Sequence, residues 1–273
     1  MNVFGIDLAA EPAKTGVVLL AFTEGRRWQA RSNLGRATDD ELVGMARSVD
    51  VIGVDSPLGW PTAFVEAVGT HAAFRPWPGA ADRSELTHRE TDREVKRLTA
   101  KVSLSVSADK LGSVAMRCAL LQRRWAEEVW KVAAPRDGTG PLVETYPAAA
   151  FARWAIDATG YKPPRKTPQA AAVRGLIVDT IGDATASWLD IALVRTGCIE
   201  SDHTLDALVS AIVCLAAKCS GTHVPSGDQR PYALSEGWIH VPTTPLSDFD
   251  PRSSLLSRRV PSEKQAGESG VSS

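Results

Sequence analysis

Two short apolar runs in this chain each end on an aspartate. Residues 51–54 (VIGV) lead into Asp55, and residues 2–6 (NVFGI) lead into Asp7. Such runs predict buried β-strands, and open α/β sheets place their chemistry at the carboxyl ends of strands. Two carboxylates on neighbouring strand ends repel each other unless a cation or a proton lies between them. The pair therefore predicts a divalent-metal site at one edge of a sheet.

Composition narrows the class of protein. The 273 residues are 44% hydrophobic, which is enough to fill a core, and the net charge of −1 gives no overall attraction to nucleic acid or anionic membranes. The four cysteines form no Cys-x-x-Cys pair, so neither a disulfide framework nor a cysteine metal site is expected. The amino terminus does not resemble a signal peptide, and no apolar run reaches the ~20 residues of a membrane helix. We therefore expect a cytoplasmic protein without membrane contact, and the sequence leaves its oligomeric state open.

The order of the predicted elements indicates the fold class. Strands are predicted at residues 2–8, 15–22 and 27–34, with links short enough for an antiparallel meander. A short helix with acids in its first turn then precedes the strand that ends at Asp55. Three antiparallel strands followed by parallel strands through helical crossovers is the layout of the ribonuclease H-like fold. Its first and fourth strands are parallel neighbours, which puts Asp7 beside Asp55 at the ~5 Å spacing of a sheet.

The rest of the chain is predicted to be mostly helical. One short strand is expected at residues 141–145, and helices are expected from Pro147 and at 84–98, 114–132, 168–179, 183–194 and 204–217. The prediction is thus an α/β protein with a ribonuclease H-like mixed sheet flanked by helices. One domain covers residues 1–243, with a helical insertion at about 62–138. Residues 244–273 contain few apolar side chains and are predicted to be a disordered tail.

Further acids extend the pattern of the first two. Glu144 ends the short predicted strand, although an exposed acid near a helix amino terminus is an equally ordinary explanation for it. Asp202 and Asp206 lie four residues apart, on one face of the last apolar helix. Asp202 suits a helix cap, whereas Asp206 lies too far inside the helix to be one. His203, between these two acids, is a candidate proton carrier.

Four carboxylates on separate elements suit two divalent cations ~3.5–4 Å apart. Taken singly, Asp7 and Asp55 also suit turns or helix caps, and the recurrence of the pattern argues against that alternative. Oxygen ligands select Mg²⁺ or Mn²⁺ over zinc, and such ions hydrolyse phosphodiesters without a nucleophilic side chain. The predicted metal ligands and catalytic residues are Asp7, Asp55, Glu144 and Asp206.

Several motifs carry a resemblance to one protein family. They are residues 5–7 (GID), 52–59 (IGVDSPLG), 144–147 (ETYP), 206–208 (DAL), 89–94 (RETDRE) and 236–239 (EGWI). These motifs resemble the family called domain of unknown function 429 (DUF429), from residue 2 to about residue 242. The resemblance implies a nuclease with a ribonuclease H-like fold. More distantly, the acids resemble those of Holliday-junction resolvases, which implies metal-ligand roles for Asp7, Asp55 and Asp206.

The resemblance also brings in residues that could support the site. It covers Arg89 and Asp92, for which a solvated helix face of mixed charge is the ordinary alternative. Two basic clusters are candidates for phosphate contacts, with plain surface charge as the alternative for each. They are Arg117, Arg123 and Arg124, and Lys162, Arg165 and Lys166.

The predicted function is a metal-dependent nuclease that uses Mg²⁺ or Mn²⁺ to hydrolyse phosphodiester bonds of DNA or RNA. Two other functions stay open. An actin-like ATPase or small-molecule kinase relative shares the sheet and the acid on the first strand, and saturable binding of Mg-ATP would distinguish it. A non-catalytic nucleic-acid-binding protein would bind without cleavage.

Overall fold

In a computed structural model of the chain, the structure describes residues 1–32, 37–77, 83–107, 111–162 and 168–253. These residues form a mixed sheet of six strands in the order β5-β4-β1-β2-β3-β6. The strands are β1 (Val3–Asp7), β2 (Gly16–Phe22), β3 (Trp28–Arg31), β4 (Val51–Asp55), β5 (Leu142–Glu144) and β6 (Leu189–Asp190). β2 pairs antiparallel with both β1 and β3, whereas the β1–β4, β4–β5 and β3–β6 pairs are parallel. The predicted mixed sheet, antiparallel first and parallel afterwards, is confirmed.

Helices flank this sheet. In chain order they are α1 (Asp39–Ala46), α2 (Thr62–Ala72), α3 (Arg83–Thr87), α4 (Glu90–Thr99), α5 (Leu111–Arg124), α6 (Pro147–Arg153), α7 (Pro168–Thr185), α8 (Arg195–Glu200), α9 (Asp202–Lys218) and α10 (Arg230–Glu236). A π-helical segment, Trp125–Trp130, continues α5. Helices α2 to α5 lie between β4 and β5, in the segment predicted as a helical insertion. Within the described ranges, no helix combines the length and the apolarity needed to cross a membrane.

The two faces of the sheet are covered by different helices. Helix α9 packs across β1, β2 and β4 on one face, with α7 behind it. Helices α1 and α5 cover the opposite face. Alternate residues of a strand point to opposite faces, so the odd-numbered residues of β1 and β4 face α9. Asp7 and Asp55 are odd-numbered and therefore lie on the α9 face.

Two glycines allow α9 to approach the sheet closely. Gly5 and Gly53 are paired in register on β1 and β4. A Cβ atom at Gly5 would lie 2.1 Å from the carbonyl oxygen of Ala207, and one at Gly53 would lie 2.6 Å from that of Ser210. Any side chain there would push the helix away. Because each glycine stands two residues before an aspartate, the same contact brings the first turns of α9 over the strand ends.

The segment predicted as one helix over 84–98 is two helices, α3 and α4. The break falls at His88 and Arg89, and the backbone of Arg89 is extended (φ −73°, ψ 167°). Its N–H donates to the carboxylate of Asp92 over 2.9 Å, which caps α4. Helical periodicity does not predict this break, because it gives no sign that a buried arginine serves as the N-cap of a new helix.

Two further predictions differ from the structure. The helix expected at 183–194 is instead the end of α7, followed by β6 and a turn that leads into α8. Trp188 explains the change: it is fully buried against Trp28 and anchors β6 beside β3.

The predicted tail, residues 244–273, is packed in its first part. Residues 244–253 lie on the domain because Leu246 is buried in the core and Phe249 contacts the ring of Trp188. The remainder of the predicted tail, 254–273, lies outside the described residues.

Candidate metal centre

The first two acids meet as the sequence predicts. In the parallel pairing of β1 with β4, Asp7 stands directly opposite Asp55. Paired residues of parallel strands point to the same face, and both carboxylates lie at the carboxyl edge of the sheet. The strand register alone therefore brings two negative charges together.

Asp206 joins the pair from α9. Each of Asp7, Asp55 and Asp206 offers a carboxylate oxygen, and these three atoms lie within 4.8 Å of one another. Asp206 is completely buried, Asp7 is 8% exposed, and Asp55 is partly open to solvent. Carboxylates held this close and this dry stay together only when cations or protons balance their charge. We call these three residues the carboxylate triad.

Two basic side chains contact the triad. The ammonium of Lys162 pairs with Oδ2 of Asp206, and Nδ1 of His203 lies 2.6 Å from Oδ2 of Asp7. The Tyr161 hydroxyl donates to Oδ1 of Asp206 over 3.0 Å. Asp7 and Asp206 thus have protein partners, whereas Asp55 faces the other acids.

The pKa values reflect this imbalance. Burial raises the pKa of Asp55 well above its ordinary value, and the charge of Asp7 adds to the effect. Burial also raises the pKa of Asp206, and Lys162 opposes that rise. The hydrogen bond to Asp7 raises the pKa of His203. A triad that takes up protons in this way has more negative charge than its protein partners neutralise.

Glu144 lies on the other face of the sheet. It pairs with Val54 rather than with Asp55, because β5 is offset by one residue from the level of the two aspartates. Successive side chains alternate between faces, so this offset turns Glu144 away from α9. Its carboxylate is outside the triad, and only three of the four predicted carboxylates converge.

A buried arginine takes up the carboxylate of Glu144. Nη2 and Nη1 of Arg89 donate to its two oxygens over 2.7 and 3.0 Å. Nε and Nη2 of Arg89 donate to Asp92 over 3.0 and 3.1 Å, and Nη1 donates to the carbonyl of Glu236 over 3.1 Å. The side chains of Arg89, Glu144 and Asp92 are each only 2% exposed. We call these three residues the arginine cluster.

Every N–H of the Arg89 guanidinium donates a hydrogen bond inside the arginine cluster or to the carbonyl of Glu236. Burial disfavours the ionised form of Asp92, but the guanidinium of Arg89 outweighs it and lowers the pKa of that carboxyl. Burial raises the pKa of Glu144, and Arg89 again opposes the rise. Leu58 N–H donates to Glu144 over 3.1 Å, and the Ser103 hydroxyl donates to Asp92 over 2.9 Å. Fully satisfied buried networks of this kind hold their elements rigidly in place.

One cavity of about 250 Å³ connects the triad to the arginine cluster. Asp7, Asp55, Glu144, Arg89 and Lys162 all line it. The cavity therefore gives a ligand access to Asp7 and Asp55, whereas Asp206 is completely buried and does not line it.

The remaining predicted residues have other positions. Asp202 is the first residue of α9, and the cap is its neighbour Ser201, whose hydroxyl accepts from Thr204 N–H over 3.4 Å. Arg117 is buried among Asp39, Thr15 and two backbone carbonyls. Arg123 and Arg124 pair with acids of their own helical segment. The predicted phosphate contacts at Arg165 and Lys166 lie outside the described residues.

Two residues at the triad were not anticipated. The sequence predicts no role for Tyr161, and it predicts Lys162 only as a phosphate contact in a basic loop. The adjacent aromatic and basic side chains are the one local signal in the sequence, and nothing in their spacing connects them to an acid 44 or more positions later.

A comparison with known families assigns the chain. A model of the family described as protein of unknown function (DUF429) matches residues 5–230. The chain belongs to the DUF429 family. Five of the six motifs that carry the resemblance lie inside the matched residues. The sixth, at residues 236–239, lies beyond them. Neither the curated proteins nor the solved structures contain a match to the chain.

The triad of this DUF429 chain fits a divalent cation of the Mg²⁺ or Mn²⁺ type. Three carboxylates from three elements supply the oxygen ligands that such ions prefer. Burial and, after it, the charge of Asp7 raise the pKa of Asp55, and a cation beside the triad would relieve that repulsion. No group of three or more His, Cys, Asp and Glu ligands other than the triad is found among the described residues.

Proposed function

We propose that this chain is a metal-dependent nuclease with a ribonuclease H-like fold that hydrolyses phosphodiester bonds of nucleic acids. The observation that carries the proposal is the carboxylate triad, whose oxygens come within 4.8 Å of one another at an open cavity. The strand order β3-β2-β1-β4-β5, with the acids on β1, β4 and a helix packed across them, supports the fold.

Each residue of the centre has a distinct role in this proposal. Asp7, Asp55 and Asp206 would hold one or two Mg²⁺ or Mn²⁺ ions. A bound ion supplies Lewis-acid stabilisation of the charge that develops on a phosphodiester during hydrolysis. His203 orients Asp7 through its ring nitrogen, and Lys162 and Tyr161 orient Asp206. Arg89 and Glu144 hold the cavity wall through the backbone of Leu58 and Glu236.

The test is cleavage of labelled DNA and RNA in the presence of Mn²⁺ by the full chain and by two variants. Asp7→Asn and Asp55→Asn keep the size of the side chain and remove one negative charge each. We expect each to slow cleavage roughly hundredfold or more. The matched control is Asp179→Asn on α7, where the aspartate is 53% exposed and pairs with Arg195. Cleavage that survives both triad substitutions would refute the assignment.

A further inference from the structure

The cavity beside the triad has a side that metal binding does not use. Its apolar lining residues, which we call the apolar wall, are Leu8, Pro57, Leu104, Leu111, Val114 and Ile239. The ring of Tyr146 also lines the cavity. Leu104 is 58% exposed, so core packing does not account for its position. Apolar side chains gathered around a few polar groups in a concave site are typical of a ligand pocket.

The size of the cavity limits what can enter. At about 250 Å³ it is smaller than the roughly 300–1,000 Å³ of pockets that enclose a drug-sized ligand. One nucleotide unit matches this scale, whereas a base-paired duplex does not. Enzymes that react with a base in a duplex provide the precedent: they turn a single nucleotide out of the stack into a pocket lined by apolar and aromatic groups.

The charges that line the cavity also favour a single nucleotide. Its lining includes two cationic side chains, Arg89 and Lys162. The guanidinium of Arg89 is already engaged by Glu144 and Asp92, and Lys162 pairs with Asp206. A groove that follows a polyanionic backbone presents a row of cations, one for each phosphate contact. Four carboxylates also line the cavity, so a phosphate would be attracted only by a metal ion at the triad, and the apolar side of the cavity suits one uncharged ring.

We propose that the apolar wall binds the base of a single unpaired nucleotide whose phosphodiester lies at the triad, so that the substrate is single-stranded or extrahelical nucleic acid. The inference rests on the proposed function, because it assumes that the triad holds its metal next to that phosphodiester. Contact between a base and the aliphatic side chains of the wall removes apolar surface from water, whatever the base, and should raise affinity about tenfold. The wall therefore selects for an unpaired base and not for a sequence.

The direct test measures binding without cleavage. Calorimetric titration of the full chain with Mn²⁺ present compares thymidine 5′-phosphate with 2-deoxyribose 5-phosphate, which has the same phosphate but no base. We expect the nucleotide to bind about tenfold more tightly. Equal affinity of the two compounds would overturn the inference.

Variants locate the effect on the wall. Leu104→Ser and Val114→Ser should each reduce the advantage of the nucleotide roughly threefold, because each removes apolar contact area, and leave 2-deoxyribose 5-phosphate unchanged. The matched control is Leu120→Ser on α5, since Leu120 is 60% exposed and is not among the lining residues. An equal loss in the control, or an equal loss for both compounds, would contradict a base-binding wall.

Cleavage of three oligonucleotides of the same sequence separates this inference from the proposed function. They are a single strand, a full duplex and a duplex with one unpaired nucleotide. We expect the full duplex to be cut at least about tenfold more slowly than the other two. Base-dependent binding without cleavage of any substrate would contradict the nuclease function and support the wall. Cleavage without base-dependent binding would support the nuclease function and contradict the base-binding wall.

Discussion

The carboxylate triad and the arginine cluster are both buried groups of acids beside one cavity, and they differ in the side chains that hold their carboxylates. In the arginine cluster, one guanidinium donates to both carboxylates, and the pKa of Asp92 is lowered. In the triad, three carboxylates share two weaker partners, and the pKa of Asp55 is raised.

The contrast separates stabilisation from binding. A buried acid with a matched cation holds structure, and removal of either partner leaves an uncompensated charge. Buried acids without enough cations cost stability, and this cost is recovered only when a cation binds. We therefore expect substitutions in the two groups to have opposite effects on stability.

The largest effect is expected from Glu144→Gln. Both oxygens of Glu144 accept hydrogen bonds, so the amide nitrogen of a glutamine there would leave an N–H of Arg89 or Leu58 buried without its acceptor. We expect a loss of about 3 kcal/mol in the free energy of unfolding, measured by urea denaturation. Glu127→Gln is the matched control, because Glu127 pairs with Arg123 on the surface. Similar losses in the two variants would show that the arginine cluster is no more important than a surface pair.

Metal binding should stabilise the protein through the triad. At a Mn²⁺ concentration of 100 times the Kd, the expected gain is about 2.7 kcal/mol, seen as a rise in Tm. Asp55→Asn should abolish most of the gain, whereas Glu144→Gln should keep it if the variant folds, because Glu144 lies outside the triad. Loss of the response in Glu144→Gln would restore Glu144 as a ligand, as the sequence predicts.

Gly53→Ala tests the close approach that brings Asp206 into the triad. The new methyl group would lie 2.6 Å from Cβ of Cys214 and force α9 away from the sheet. We expect a loss of about 1–3 kcal/mol in stability and a weaker rise of Tm with Mn²⁺. Gly44→Ala in α1 is the control: its added methyl has no atom within 4 Å, and we expect a gain of up to ~1 kcal/mol. If Gly53→Ala is destabilised but its Tm rises with Mn²⁺ as in the unmodified chain, the close approach of α9 is not needed for metal binding at the triad.

The smallest expected effect has the opposite sign. In metal-free buffer, Asp55→Asn should stabilise the protein by about 1 kcal/mol, because it removes one of three crowded negative charges. Asp92→Asn in the same denaturation assay should destabilise it, since Arg89 loses a partner. Destabilisation by both substitutions would remove the distinction between the two groups.

Much of this arrangement is readable in the sequence. The strands ending at Asp7 and Asp55, their parallel pairing and the apolar helix that contains Asp206 are all confirmed. Apolar runs, the acids that end them and the order of elements can be predicted because they depend on residues that are close together in the sequence. Glu144 shows the limit: its strand and its position at the strand end were predicted, but its face was not, because a one-residue offset in pairing reverses every side chain.

The amino-acid sequence by itself therefore determined which acids stand at the carboxyl edge of the sheet. Only the tertiary structure decided how each is neutralised. Arg89 reaches Glu144 across 55 residues, and Lys162 reaches Asp206 across 44. Such pairs depend on strand register and on how closely α9 packs against Gly5 and Gly53, and neither is encoded in the spacing of the charged residues. Charge balance is a property of the folded neighbourhood, and it separates a structural carboxylate from one that awaits a cation.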